Sequence, residues 1–475
     1  MMRRPISSLA LLLLAGTAAA QPAPDAARAR TAAREHRQAN ESAILREFAT
    51  LLGMPNVASN QADIRRNADT IMAMLRRRSV TAQILEVPGA PVSVYGELRT
   101  PGATRTVVLY AHFDGQPVQP AQWQSPPFTA VLRDQNGRDV PFPTAGQRTD
   151  PEWRIYARSA SDDKGSVMAI LAALDALRAA SIRPSVNLKF FFEGEEEAGS
   201  GHLRAILEKY RDLLRADAWV FGDGPVHQSR RQQVVFGVRG VMGFELTIYG
   251  PTRPLHSGHY GNWAPNPGAL IANLIASMRD ADGQVKIAGF YDDVRPITDA
   301  ERRAIAALPP VDDALRASLS LARTEANNAS LMERIMQPAL NVRGIRVGGV
   351  QETGANVIST VAYASFDIRL VPAQNPARVR EAVERHIAAQ GYHIVHEEPD
   401  SATRARHPRI ARLEWEDGYP AQRAAMDEPF GRALMAAVSA GAPQPPLAVP
   451  TLGGSLPVYL FPEVLGVPVA ILPIA

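Results

Sequence analysis

Between residues 42 and 240, short runs of β-branched and aromatic residues alternate with stretches of helical periodicity, and few folds permit that alternation. Leu45, Phe48, Leu51 and Leu52 mark one face of a helix that Gly53 and Pro55 stop. Ile64, Ala68, Ile71 and Leu75 mark a second, and Val167, Ile170, Leu174 and Leu177 a third. Between them, residues 106–111, 186–192 and 218–222 are apolar runs too short for helices and read as buried strands. Strands separated by helices imply an α/β fold class with a mostly parallel sheet. Residues 131–150, rich in Asp, Gly, Pro and Asn, read as an insertion loop.

The texture changes after Gly240. Phe244, Leu246 and Ile248 alternate with other residues, as in an antiparallel strand. A helix over 267–278, a strand over 361–370 and a helix over 377–389 follow. That order predicts a small α+β domain, residues 241–415, inserted into a first domain made of 21–240 and 416–475. In the last part we read a helix over 430–438 and strands around 457–461 and 467–474.

The N-terminus reads as a targeting signal. Arg3-Arg4 precede an apolar run over 9–15, and Ala18-Ala19-Ala20 offer a small-residue cut before Gln21. Residues 1–20 therefore read as a secretory signal peptide cleaved after Ala20, against the alternative of a buried N-terminal helix. The mature chain is expected to be secreted or periplasmic. No later segment has the roughly 20 apolar residues of a membrane span. The chain contains 0 Cys, which excludes disulfides, thiolate metal sites and a thiol nucleophile. Its net charge of +3, with no basic stripe interleaved with aromatics, argues against a nucleic-acid partner.

Four clusters of acid or imidazole sit where the predicted strands end or helices begin. They are His112-Phe113-Asp114, Ser161-Asp162-Asp163-Lys164-Gly165, Glu193-Gly194-Glu195-Glu196-Glu197-Ala198-Gly199-Ser200 and Gly222-Asp223-Gly224. Taken singly, each has an ordinary reading: a surface pair, a solvated face, a turn. Together they would meet in the crevice beyond the carboxyl ends of one sheet. So much unpaired acid repels itself, and a pair of divalent cations resolves the repulsion.

Those residues give the sequence a resemblance to the M20 metallopeptidases, a group of dipeptidases of the carnosine type, glutamate-releasing carboxypeptidases, aminoacylases and desuccinylases. From Ser42 to the last residue it rests, in order, on the four clusters, on Leu255-His256-Ser257-Gly258, on Ile368-Arg369-Leu370-Val371-Pro372 and on Gly453-Gly454-Ser455-Leu456-Pro457. The resemblance implies a zinc-peptidase catalytic domain with an inserted lid or dimerisation domain. It implies two zinc ions, with His112 and Asp223 on the first, Glu197 on the second and Asp162 bridging both. Asp114 would steady the His112 imidazole, and Glu196 would be the general base. His256 would stabilise the oxyanion, reaching the partner subunit's site in a homodimer. Arg369 would grip a substrate carboxylate, its alternative being a salt-bridged surface residue, and Asn356 and Ser455 would make polar substrate contacts.

Two departures stand out. Ala157-Arg158-Ser159 occupies the place where many relatives read Gly-Arg-Gly, so the local backbone is expected to differ slightly. Relatives also continue past the equivalent of residues 467–474 to a His that ligates the second zinc, whereas this sequence ends at Ala475. The expectation is a truncated chain whose second metal site is incomplete. The implied reaction is hydrolysis of a peptide (dipeptide) or N-acyl amide bond next to a free carboxylate. Asp at position 223 leans towards dipeptidase or aminopeptidase activity. The alternative is a binding protein of this fold, or an inactive fragment lacking the last ligand.

Overall fold

The face marked by Leu45, Phe48, Leu51 and Leu52 closes a long helix, Pro24–Leu52. Its end packs with the buried side chains of the helix Gln61–Arg77, Ile64, Ala68, Ile71 and Leu75. Both cover a sheet whose strands follow the order Thr81–Leu85, Ser93–Leu98, Asn187–Glu193, Thr106–His112, Ala218–Phe221, Val469–Ile471, Gln233–Val235, Leu447–Val449. The computed structural model describes residues 24–474. The signal-peptide reading of 1–20 lies outside them. No helix among the described residues is long and apolar enough to cross a membrane.

The sheet is mixed, with four of its seven strand pairs parallel. Thr106–His112 runs parallel to both neighbours, Asn187–Glu193 and Ala218–Phe221. Val469–Ile471 continues that parallel centre beside Ala218–Phe221. The strands Thr81–Leu85 and Ser93–Leu98 join antiparallel at one edge. Helices lie in sequence between Thr106–His112, Asn187–Glu193 and Ala218–Phe221, which is what the alternating pattern detects. Tyr110 stacks on Phe221 at 3.9 Å between ring centroids, and Phe461 meets Trp219 at 4.7 Å, so aromatic packing fills the layer beneath the strand ends.

A second sheet, in the order Ala339–Arg346, Val361–Leu370, Gly240–Tyr249, Ile410–Trp415, His393–Val395, is drawn from residues 240–415. Its strand Val361–Leu370 alternates strictly, burying Ala362, Ala364, Phe366, Ile368 and Leu370. Those side chains join one core with Ile271 and Leu274 of the helix Pro267–Met278 and Val379 and Val383 of the helix Pro376–Ala389. Both helices start where an Asn caps a free amide and Pro occupies the first turn, Asn266-Pro267 and Asn375-Pro376. Strict alternation leaves Arg369 on the face opposite these helices.

Three other readings change. The stretch read as a loop over 131–150 contributes to a small sheet of Asp139–Val140, Val131–Arg133 and Arg154–Tyr156. Asp134 turns that hairpin by accepting the amides of Asn136 and Arg138 at 2.8 and 2.9 Å. Strands of two or three residues are too short to show a period. The stretch around 457–461 is not a strand but a turn leading into the wide helical turn Phe461–Leu465, since Pro457 and Pro462 lack the amide a ladder needs. Between 299 and 335 lie helices that apolar periodicity did not reveal. One, Asp299–Ala306, opens on a capping box of Thr298 and Glu301, a signal present in the sequence.

Candidate active site

His112 ends its strand with its side chain fully buried. Its Nε2 lies 2.8 Å from Asp162 Oδ1, 3.8 Å from Glu196 Oε2 and 4.0 Å from Asp223 Oδ2. Its Nδ1 faces Asp114 Oδ1 at 3.3 Å, too obliquely for an aligned hydrogen bond. The equally buried Asp114 carboxylate accepts the backbone amides of Glu196 at 3.1 Å and Glu197 at 2.9 Å. One carboxylate thus fixes the imidazole and the turn that carries both glutamates.

The rest of the cradle is built for close approach. A side chain on Gly194 would meet Val92 O at 2.5 Å, and one on Gly222 would meet Ser166 Cβ at 2.8 Å. Ser166 Oγ donates to Gly222 O at 3.2 Å, tying the start of the helix Lys164–Ala179 to the loop that carries Asp223. Asp163 accepts the His112 amide at 3.2 Å. Lys164 is fully buried and donates to Leu51 O and Met54 O at 2.9 and 3.0 Å, closing the end of the first helix. Burial holds its amine down to about 7. Ser159, in the glycine's place, adopts φ 61°, the left-handed conformation a glycine takes there readily. Its hydroxyl accepts from Asn56 Nδ2 at 2.9 Å, which helps hold that conformation.

Crowded acid dominates the electrostatics. Burial lifts the Glu196 carboxyl up to about 8, with His112 opposing and Asp223, Glu193 and Asp114 adding to it. Burial likewise raises Asp163, Asp223 and Glu197. Burial alone would lower His112, but its contacts with Asp114 and Asp162 outweigh that and hold it well above the usual imidazole range. Contact with His112 lowers Asp162, whose side chain is 64% exposed. One nitrogen of His112 and one oxygen each of Asp162 and Asp223 lie within 4.8 Å of one another, and this is the one such group among the described residues. An imidazole and two carboxylates are a donor set that fits zinc or a similar divalent cation, and a cation there offsets the crowding that raises the neighbouring carboxyls.

Glu197 stands outside that group. It is half-buried, and its Oε2 accepts from Gln116 Nε2 at 2.8 Å while Gln116 also bonds its carbonyl. His256 and Asn356 are exposed and lie on one two-stranded antiparallel ladder: Leu255–His256 pairs with Val357–Ile358, and Ser257 N donates to Asn356 O at 2.9 Å. His256 Nδ1 accepts the Gly258 amide at 3.0 Å. Neither makes a hydrogen bond to the cluster among the described residues. Arg369 and Ser455 are brought together, Nη1 donating to Ser455 Oγ at 2.9 Å, and Arg369 Nε also pairs with Asp367 at 3.2 Å.

Sequence reading passed over Gln116 and Tyr419. Tyr419 pairs its backbone with Val241, which sits opposite Arg369 on the neighbouring strand, and its ring stacks on Tyr459 at 5.7 Å. Burial and the nearby Glu196 charge push its phenol up to about 12. Nothing in Gly418-Tyr419-Pro420 signals more than a turn.

Residues 108–472 match the family described as peptidase family M20/M25/M40. The chain belongs to that family. It is 30% identical over 349 residues to the Beta-Ala-His dipeptidase of Homo sapiens, covering 72% of this chain and 65% of that protein. To the Cys-Gly metallodipeptidase dug1 of Schizosaccharomyces pombe it is 29% identical over 312 residues, 64% of this chain and 61% of that one. The chain thus spans somewhat less than two thirds of these relatives. Among solved structures, the M20 family metallo-carboxypeptidase Sso-CP2 from Sulfolobus solfataricus superposes with a TM-score of 0.70 at 27% identity, covering 90% of each chain. Human carnosine dipeptidase 1 shares the fold, with a TM-score of 0.67 at 22% identity over 94% of this chain and 92% of that one. The M20 match includes the strand ends at His112, Glu193 and Phe221 and the last strand, Val469–Ile471, so the His112 cluster and Arg369 with Ser455 all lie inside it.

Proposed function

We propose that this M20 protein is a metal-dependent dipeptidase that hydrolyses an amide bond next to a free carboxylate. The observation that carries the reading is the convergence of His112, Asp162 and Asp223 with Glu196 within 3.8 Å of the imidazole. Zinc is the cation the donor set suits: His112, Asp162 and Asp223 would hold one ion, and Asp162 and Glu197 would serve a second. When bound, such ions supply Lewis acidity and a water acidic enough to lose a proton near neutral pH.

The chain's own residues do the rest. Glu196 accepts the proton of the attacking water and returns it to the leaving nitrogen. Its buried carboxyl, held up to about 8 by its surroundings, ionises more readily beside positive charge. Asp114 fixes both His112 and Glu196, so ligand and base keep one geometry. Arg369, aimed by Ser455 and Asp367, offers a planar fork to the substrate's free carboxylate. Asn356 adds a polar contact. His256, on the second sheet's domain, supports the developing oxyanion of a partner subunit's site. A homodimer through that domain is supported by Trp263, Val350, Ile345 and Val357, which are 79, 73, 55 and 45% exposed. The strand Ala339–Arg346 also leaves an edge of the second sheet unpaired. The proposal of export rests on the sequence of residues 1–20.

A second reading, a binding protein with one metal at most, is favoured by Glu197, whose carboxylate is held by Gln116 outside the three-ligand group. Assaying zinc-loaded protein against dipeptides and N-acyl amino acids, with and without chelator, separates the two. Chelator-sensitive hydrolysis of dipeptides is the expected result. Metal binding without hydrolysis of any substrate would leave the binding protein.

A further inference from the structure

An apolar cavity of about 400 Å³ lies against the metal-ligand loop, bounded by Pro225, Val226, Leu308, Met332, Leu452 and Gly453. Its size falls in the range of small-ligand sites. Two walls connect it to the residues described above. Pro225 and Val226 follow Asp223 and Gly224 directly, and a side chain built on Gly224 would touch Leu452 Cδ1 at 3.4 Å. Gly453 stands two residues before Ser455, the partner of Arg369. The opposite wall comes from the helical segment after Thr298: Ile335 Cδ1 would lie 3.3 Å from a side chain on Gly453.

Several polar groups on the lining are already engaged. Gln233 Nε2 donates to Pro225 O at 2.7 Å, His227 Nδ1 is bonded to Ser229 at 2.8 Å, and Asp312 accepts the Leu331 amide at 2.7 Å. With these partners satisfied inside the protein, the cavity offers a ligand mainly apolar contact. A charged or hydrogen-bonding side chain entering it would give up water without recovering its bonds.

Resting on the dipeptidase reading, we propose that this cavity receives the side chain of the substrate residue that carries the free carboxylate, selecting bulky apolar residues such as leucine and phenylalanine. On that reading Arg369 and Ser455, two residues beyond the lining residue Gly453, take the carboxylate, and the Asp223 loop, which runs on into the lining residues Pro225 and Val226, lies towards the scissile end. A side chain entering the cavity would meet Leu452 and Met332 on its lining. A side chain on Gly453 would press on Ile335 and narrow the cavity.

The test compares Ala-Gly, Ala-Leu and Ala-Phe as substrates for the wild type, for Val226→Trp at an exposed position and for Met332→Trp at a half-buried one. An apolar pocket discriminates by about 10- to 200-fold. The wild type is expected to favour Ala-Leu and Ala-Phe over Ala-Gly by at least about tenfold in kcat/KM. Either tryptophan, filling the cavity, should bring that ratio within about threefold of unity. A wild-type ratio near one, or an unchanged ratio in both variants, overturns the pocket and leaves the dipeptidase reading standing. If no peptide is cleaved, that reading fails. Calorimetry of free L-phenylalanine against glycine then decides the pocket alone: preference for phenylalanine that both variants abolish supports it, and equal binding overturns it.

Discussion

The two ends of the acidic cluster use the same chemistry in different surroundings. At one end, His112 is fully buried, Asp223 nearly so, and the elements carrying them are tied down by Asp114, Asp163 and Ser166. At the other, the Asp162 side chain is 64% exposed and Glu197 is braced chiefly by Gln116. Ligands already fixed by packing and hydrogen bonds lose little freedom when a cation arrives, whereas exposed ones must be ordered by it. On the proposed two-metal reading, the tighter position is expected at the His112 end and the weaker one at the Glu197 end.

The largest expected effect falls on Glu196, which stands between the two ends. Glu196→Gln keeps the shape but cannot take a proton, so kcat should drop about 10²- to 10⁴-fold while metal content stays near wild type. Metal analysis beside steady-state kinetics reads both, and a variant that retains most of its kcat removes Glu196 as the base.

The comparison itself is sharpened by stoichiometry. If Asp162 bridges two ions as proposed, Asp162→Ala should empty both positions, whereas His112→Ala should cost mainly the buried one. Equal metal counts in the two variants would mean that the ends are not distinct. Supporting residues should give smaller effects with the same polarity. Gln116→Ala is expected to weaken the exposed position about 10- to 100-fold in titrations, and Asp114→Asn the buried one by a similar factor. A Gln116 variant that loses the buried ion first would reverse the assignment.

The smallest effect concerns the floor of the buried end. Burial lifts Glu193, whose carboxylate accepts the Tyr110 hydroxyl at 2.8 Å, from 4.5 up to about 7. A carboxyl whose folded pKa is raised contributes stability below its unfolded pKa and loses it as pH climbs through about 7. Glu193→Gln, always neutral, should gain on the wild type between pH 5 and pH 8 by on the order of 1 kcal/mol, less than the full shift implies because a nearby cation favours the ionised form. Thermal melts at the two pH values check it, and a constant difference would show that Glu193 is ionised throughout.

What could be read from the sequence follows the same division. Long periodic elements were legible: the helix Pro267–Met278 and the strand Val361–Leu370 occupy the residues that pattern and capping indicate. So were the strand ends at His112 and Phe221, because a buried run followed by charge leaves little choice. The small sheet around Asp134 and the turn at Phe461–Leu465 were not, since neither carries a repeating pattern. The mixed character of the main sheet also escaped, because an apolar run does not record the direction of its neighbour. At the site, ligand-type residues stand out by type, but Gln116 and Tyr419 matter only through contacts made across the fold. Ser159 shows another limit: nothing about a serine signals the left-handed conformation that it adopts beside a hydrogen bond from Asn56.

The central claim is that the His112 end binds the cation on which peptide hydrolysis depends. Returning zinc stepwise to metal-stripped protein, with occupancy and dipeptide turnover recorded on the same samples, tests it directly. The account predicts no turnover before zinc is added, a first tight ion lost in His112→Ala, and turnover that appears only as the sites fill. Turnover that survives stripping, or full occupancy with no hydrolysis of any dipeptide, would contradict it.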